Sequence, residues 1–159
     1  MLIMEFQKQD IPQMIAIWNE VVEEGVAFPQ EEFLNEKTGK DFFSSQSYTA
    51  VAQKNGEILG LYILHPNNIG RCGHICNASY AVASRFRGRH IGEQLVLDCM
   101  KKGRELGFRI LQFNAVVETN IHARHLYERI GFHQLGTIKN GFRLKDGSYA
   151  NICPYYIEL

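Results

Sequence analysis

The sequence predicts an α+β fold in which a mixed, mostly antiparallel central sheet is flanked by helices. Two observations carry this reading. Early in the chain, extended runs at 48–54 and 57–65 flank Asn55-Gly56, a pair that tolerates the positive φ of a type I′ turn and so reads as a hairpin. Later, an extended run at 74–83, a helical run at 87–106 and an apolar run at 109–117 follow one another. Strand, long helix and strand in succession form a right-handed crossover unit whose strands are parallel. Antiparallel strands first and a crossover later give one mixed sheet rather than a doubly wound one.

The remaining elements follow from local signals. Asp10 is placed to cap a first helix, Pro12 suits its first turn, and Ile11, Met14, Ile15, Trp18, Val21 and Val22 recur at helical spacing up to Gly25. That stripe is read as core. A helix over 35–45 is weaker because Gly39 interrupts it. Ile91, Leu95, Cys99 and Leu106 stack on one face of the long helix, which Gly107 ends. The run 109–117 is apolar enough to be a strand covered on both faces. A short helix over 120–129 stops at Gly131, and strands at 132–139 and 150–158 complete the chain.

Composition narrows the function classes. The 159 residues fit one domain spanning 1–159, with no repeat or Pro/Ser-rich linker to divide it. Hydrophobic residues make up 45% and charged residues 21%, enough to build a core and too apolar for disorder. Lys plus Arg and Asp plus Glu number 17 each, so the net charge is zero, which argues against a nucleic-acid partner held by its phosphates. No stretch reaches the ~20 apolar residues that span a bilayer, and the N-terminus lacks the pattern of a signal peptide. A cytoplasmic protein is expected, with no membrane partner. Cys72, Cys76, Cys99 and Cys153 are too few and too irregular for a disulfide framework.

The most informative segment is Arg85-Phe86-Arg87-Gly88-Arg89-His90-Ile91-Gly92, between a strand and the start of the long helix. Free N–H groups at a helix start and the positive end of its dipole attract anions, and glycines let phosphates reach the backbone. A plain basic helix cap would look similar. Neither GxxxxGK[ST] nor GxGxxG is present, which leaves a pyrophosphate carried by some other cofactor.

Arg87-Gly88-Arg89-His90-Ile91-Gly92 resembles the Arg/Gln-x-x-Gly-x-Gly/Ala signature of the GCN5-related N-acetyltransferases (GNAT), with His90 where the signature has its first glycine. At a helix start the φ of His90 is expected to be ordinary. The segment from Asn120 to Phe132 resembles the family's second block, with Asn120, Ala123, Tyr127, Gly131 and Phe132 in register. The resemblance covers at least 48–158. It implies the GNAT fold, a βαβ core that binds acetyl-CoA as cosubstrate, and an acyltransferase moving acetyl to an amine by direct attack in a ternary complex. It implies that Arg87, Gly88, Arg89, His90, Ile91 and Gly92 hold the pyrophosphate, that backbone groups of about Tyr80 to Val82 meet the pantetheine arm, and that Asn120 contacts CoA while also serving as a helix N-cap. Family members commonly dimerise, which leaves a homodimer open.

Acetyl transfer sets chemical demands. An amine with a pKa of ~10 is about one part in a thousand neutral at pH 7, so it must lose a proton before attack. The departing thiolate must gain one. Tyr127, a neutral O–H donor at physiological pH, resembles the tyrosine many family members use as that acid; the plainer reading is a ring packed on the sheet. The strand before the turn, 74–82, contains no carboxylate, so the base is open. Alternation puts Ile75, Asn77 and Ser79 on one face and His74, Cys76, Ala78 and Tyr80 on the other. Asn77, and Asn114 in the other buried run, are costly unless partnered, which points to substrate contact across the gap where the family's two parallel strands part.

Three blocks, 74–78, 113–120 and 140–147, look similar to those of fungal azetidine-2-carboxylate N-acetyltransferases within the family. This suggests a small-molecule amine substrate, an amino or cyclic imino acid, with Asn77 and Asn114 as contacts. A noncatalytic acyl-CoA sensor, and an acetyltransferase acting on a protein or peptide amine, are the competing readings. No metal site is expected: Cys72, His74 and Cys76 would share a strand face, and adjacent same-face side chains rarely converge tetrahedrally. His122 and His125 read as a solvated helix face, and His133 and His74 as bases without geometric support.

Overall fold

The computed structural model describes residues 1–159. One mixed sheet runs through it, with strand order β1-β2-β3-β4-β5-β8-β6 and β7 paired to β8. The strands are β1 (Leu2–Glu5), β2 (Tyr48–Lys54), β3 (Glu57–Pro66), β4 (Ile75–Val82), β5 (Ile110–Val117), β6 (His133–Gln134), β7 (Ile138–Arg143) and β8 (Tyr149–Glu158). The helices are α1 (Ile11–Glu24), α2 (Glu36–Ser44), α3 (Ile91–Glu105) and α4 (Ile121–Ile130). Every strand pair is antiparallel except β4 and β5. This is the α+β architecture, a mixed and mostly antiparallel sheet flanked by helices, that the sequence predicts.

The β2–β3 turn forms as expected, with Asn55 at φ 53° and Gly56 at φ 78°. Helix α2 starts at Asn35, whose side chain accepts from Thr38 N at 2.9 Å while Thr38 Oγ1 accepts from Asn35 N at 2.9 Å. That reciprocal cap stabilises the first turn.

The sheet separates two cores. Trp18, Met14 and Val21 of α1 and Phe43 of α2 pack with Val51, Leu61, Ile63 and Ala81 on one face. Leu95, Val96 and Cys99 of α3 pack with Tyr62, Leu64, Cys76, Leu111, Phe113 and Tyr155 on the other, where Leu126, Tyr127 and Ile130 of α4 join them.

Several expectations are corrected. Strand β1 was not read from the sequence at all; its hydrogen-bond partner, β2, lies far along the chain. Asp10 does not cap α1; its carboxylate accepts from Gln7 N at 2.7 Å, closing a short 3-10 turn instead. Helix α3 begins at Ile91 rather than 87, because residues 87–90 form the turn itself. The run 132–139 divides into β6 and β7. Strand β5 is not covered on both faces: Leu111 and Phe113 are buried, whereas Asn114 on the opposite face is exposed. Cys72 lies in a 3-10 turn and is exposed, and Cys76 is buried in β4, so these two thiols do not share a strand face.

Candidate active site

The two parallel strands pair only at Ile75↔Ile110 and Cys76↔Leu111, and beyond these pairs no ladder joins them. The backbone of β4 is directed accordingly. Asn67 N donates to Ile75 O at 2.8 Å and Ala83 N donates to Leu59 O at 3.0 Å, so odd-numbered residues of β4 face β3. By the alternation of a ladder, the N–H and C=O groups of Ala78, Tyr80 and Val82 face the opening. Two of these groups find side chains: Ala78 N donates to Asn77 Oδ1 at 2.8 Å, and Val82 O accepts from Arg87 Nε at 3.2 Å. Tyr80 lies between them with its backbone turned to the opening. Its side chain packs inward against Tyr62 and Phe113, and its hydroxyl is buried without a hydrogen-bond partner. Burial, with the Cys99 thiol adding to it, pushes that phenol well above its ordinary range.

The opening leads to the turn before α3. Gly88 takes φ 76°, with open space where a Cβ would stand. His90 takes φ 59°, ψ 17° at the N-cap position, which corrects the expectation of an ordinary φ. A non-glycine residue there costs of order 1–3 kcal/mol. Its ring is largely exposed, with Nδ1 3.4 Å from Glu93 Oε2, and Glu93 in turn accepts from Arg129 Nη2 of α4 at 2.9 Å. No side chain caps α3, so its first N–H groups stay available. Ile91 is buried and anchors the helix; Gly92 stands beside Val82. The arginines differ. Arg85 pairs with Glu57 at 2.7 Å and Arg87 with Glu24 at 2.8 Å, whereas Arg89 extends over the Phe86 ring and makes no ion pair. The turn has the groups that suit a pyrophosphate: free N–H groups at the start of α3, an unshielded backbone at Gly88 and, in Arg89, a guanidinium with no carboxylate partner.

Tyr127 of α4 stands against Phe113 and Phe132, at centroid distances of 4.6 and 5.4 Å. Tyr62 and Tyr155 commit their hydroxyls to Asp98 at 2.8 Å and Glu128 at 3.0 Å. Tyr127 makes no such bond, and burial pushes its phenol above the usual value, so it stays a protonated donor at physiological pH. Asn120 does not cap α4, contrary to expectation; its side chain bonds none of the first N–H groups, and only its backbone carbonyl accepts, from Arg124 N at 3.1 Å.

Asn77 and Asn114 are brought together by a residue that sequence reasoning missed. Asn67, just beyond β3, accepts from Asn114 Nδ2 at 2.7 Å and from Asn77 Nδ2 at 3.4 Å, and donates to Asn114 Oδ1 at 3.2 Å. Gln112 Nε2 also donates to Asn114 Oδ1 at 3.1 Å. Asn77 is half-buried and Asn114 exposed, both with partners, so a burial penalty says nothing for their function. Linear sequence carries no signal for Asn67, because its nearness to Asn114 depends on strand order. The two unsupported imidazoles remain so: His133 is exposed on β6 against Tyr156, and His74 is exposed ahead of β4.

A family model described as the acetyltransferase (GNAT) family matches residues 13–132. The chain belongs to this GNAT family. Among curated proteins it is 37% identical, over 97 residues, to the N-acetyltransferase aca1 of Schizosaccharomyces pombe, covering 61% of this chain and 46% of that one. It is also similar to Protein SPT10 of Saccharomyces cerevisiae, at 28% identity over 56% of this chain and 14% of that protein. This GNAT chain therefore spans less than half the length of these curated relatives. Among solved structures, a GCN5-related N-acetyltransferase from Kribbella flavida superposes with a TM-score of 0.92 at 29% identity, covering 99% of this chain and 97% of that one. The structure of yncA from Salmonella typhimurium with its cofactor acetyl-CoA has the same fold, with a TM-score of 0.93 at 16% identity over 100% and 94% of the two chains. No helix of the GNAT chain is long and apolar enough to cross a membrane.

Proposed function

We propose that residues 1–159 form one cytoplasmic N-acetyltransferase domain that uses acetyl-CoA to acetylate the amine of a small molecule, an amino or cyclic imino acid. The observation that carries this reading is the parting of β4 and β5 after Cys76↔Leu111, directly upstream of the turn at 87–92. Acetyl-CoA would supply a thioester-activated acetyl group. Arg89, Gly88 and the N–H groups at the start of α3 would hold its pyrophosphate, and the backbone of Tyr80 and Val82 its pantetheine arm. Asn77 and Asn114 would hold the acceptor so that its deprotonated nitrogen reaches the thioester carbon. Tyr127 would give its proton to the departing sulfur, and general acid help of this kind contributes typically ~10²–10⁴-fold. The similarity to the fungal aca1, an N-acetyltransferase, supports the class of reaction.

The test is thiol release from acetyl-CoA with a panel of amino acids, cyclic imino acids, polyamines and peptides. Release with an amino or imino acid is the expected result. Release only with peptides would replace the small-molecule reading by a protein acetyltransferase, binding of acetyl-CoA without any release would leave a sensor, and absence of binding would remove the reading altogether.

A further inference from the structure

We propose that His65 is the general base of the acetyl transfer, its Nε2 taking the proton that the acceptor ammonium must lose before attack. The inference rests on the acetyl-transfer reading above and deepens it by supplying a base.

Strand register places the ring. His65 of β3 lies directly opposite Asn77 of β4, and Asn67 N donating to Ile75 O carries the ladder on past Pro66. Directly opposed side chains share a face of the sheet, with Cβ atoms about 5 Å apart. That face is the one α1 covers: Ile63, two residues before His65, packs with Trp18 and Phe43, whereas Leu64 and Cys76 belong to the core under α3. Asn114 shares it too, because its neighbour Phe113 points into the α3 core. His65 therefore stands beside the Asn67–Asn77–Asn114 amides, where β4 and β5 part after Cys76↔Leu111.

One hydrogen bond sets the chemistry of the ring. His65 Nδ1 is 3.1 Å from Pro66 O. A carbonyl can only accept, so Nδ1 carries the hydrogen and Nε2 of the neutral ring keeps its lone pair. The ring is half-buried, and no carboxylate or cation forms an ion pair with it. Strands β4 and β5 contribute no carboxylate. Imidazole is the side chain whose proton exchange falls between pH 5 and 8, so His65 is the one group beside these amides suited to take a proton from an ammonium near neutral pH.

The placement also separates the two proton transfers. Tyr127 packs with Phe113 and Phe132 on the α3 side of the sheet, and His65 lies on the α1 side. A thioester in the opening between them meets the base on one side and the acid on the other. His65 Nε2 takes one proton from the acceptor ammonium and later passes it to solvent. The freed nitrogen pair forms the C–N bond, the C–S bond breaks as the carbonyl re-forms, the sulfur takes the Tyr127 proton, and the second proton of the nitrogen returns to the tyrosinate. One amide, one thiol and one released proton result.

The experiment follows thiol release from acetyl-CoA with an amino or imino acid that the wild-type protein accepts, and with hydroxylamine, whose nitrogen is already neutral at pH 7. In His65→Ala and His65→Gln, kcat/KM for the amino or imino acid is expected to fall by about 10²–10⁴-fold, with the affinity for acetyl-CoA and the denaturant midpoint unchanged. Free imidazole is expected to restore part of the rate in His65→Ala, and hydroxylamine to be affected far less, since it has no ammonium proton to give up. His65→Gln keeps a hydrogen-bonding side chain without a base, so a wild-type rate in it would overturn the proposal, as would a wild-type rate in His65→Ala. A loss that imidazole leaves in place, or one that hydroxylamine shares in full, would assign His65 to packing or acceptor binding and overturn the base role. If the wild-type protein binds acetyl-CoA but releases thiol with no amine, the acetyl-transfer reading itself is overturned.

Discussion

Arg87 reaches Glu24 at the end of α1, with Nη2 2.8 Å from Oε1, and donates through Nε to Val82 O at 3.2 Å. The first arginine of the turn at 87–92 is thus already committed to the protein. Arg89, two residues on, is not. Arg89→Ala is accordingly expected to raise the KM of acetyl-CoA by about 10–100-fold, from the loss of a charge-assisted hydrogen bond, and Arg87→Ala by less. Steady-state kinetics at varied acetyl-CoA check the order; a larger effect at Arg87 would show that the Glu24 pair breaks on binding.

His90 occupies a left-handed conformation that glycine adopts without strain. His90→Gly is expected to leave stability unchanged or to raise it by up to about 1 kcal/mol, the relief of strain being offset in part by the entropy of an unfolded glycine. A β-branched residue, as in His90→Val, should lower it by more than His90→Ala does. Chemical denaturation of the three variants tests this, and a clear loss of stability in His90→Gly would mean that the contact with Glu93 outweighs the strain.

Tyr127→Phe removes only a hydroxyl that bonds nothing else in the protein. Its folding stability should stay within about 1 kcal/mol of wild type, while kcat falls by about 10²–10⁴-fold with little change in the KM of acetyl-CoA. Equal kcat in the two proteins would return Tyr127 to a packing role.

The four cysteines should differ in reactivity. Cys72 is exposed, whereas Cys76, Cys99 and Cys153 are buried. Burial pushes the Cys76 thiol up to about 12, and Cys99 is raised for the same reason, so neither presents a thiolate near neutral pH. Titration of the native protein with a chromogenic disulfide should release one equivalent quickly and the rest only after unfolding.

Glu20 accepts from Ser84 through both the hydroxyl and the N–H, the latter at 3.0 Å, which ties α1 to the turn after β4. The hydroxyl bond is the main reason its carboxyl lies below its ordinary value. A folded pKa below the unfolded one stabilises the fold above the ordinary carboxylate range, near ~4.3, and that contribution is lost as pH falls. Glu20→Gln should therefore cost up to about 1 kcal/mol at pH 7, reduced by solvent screening, and the gap to wild type should close toward pH 3. Denaturant midpoints at the two pH values measure it.

Much of this was legible in the chain. The β2–β3 hairpin, α1 with its buried stripe, the crossover through α3 and the turn at 87–92 are encoded by residues close together in sequence, where turn geometry and helical spacing act locally. Strand β1 was not, because a short strand has no local stabilisation and forms only when β2 offers it a ladder. The caps expected at Asp10 and Asn120 failed for a related reason: both residues are suited to capping, but the direction in which the preceding chain enters the helix decides whether the side chain can reach.

The sequence by itself determined the fold family and the place of the glycine-and-arginine turn at 87–92 ahead of the long helix, because each is written in a contiguous block whose geometry is local. Only the tertiary structure decided that Arg87 is already paired, that His90 is left-handed, and that Asn67 joins Asn77 to Asn114. Those relationships arise where strand order and the parting of β4 from β5 bring distant residues within hydrogen-bond reach, and no local rule of spacing records such a meeting.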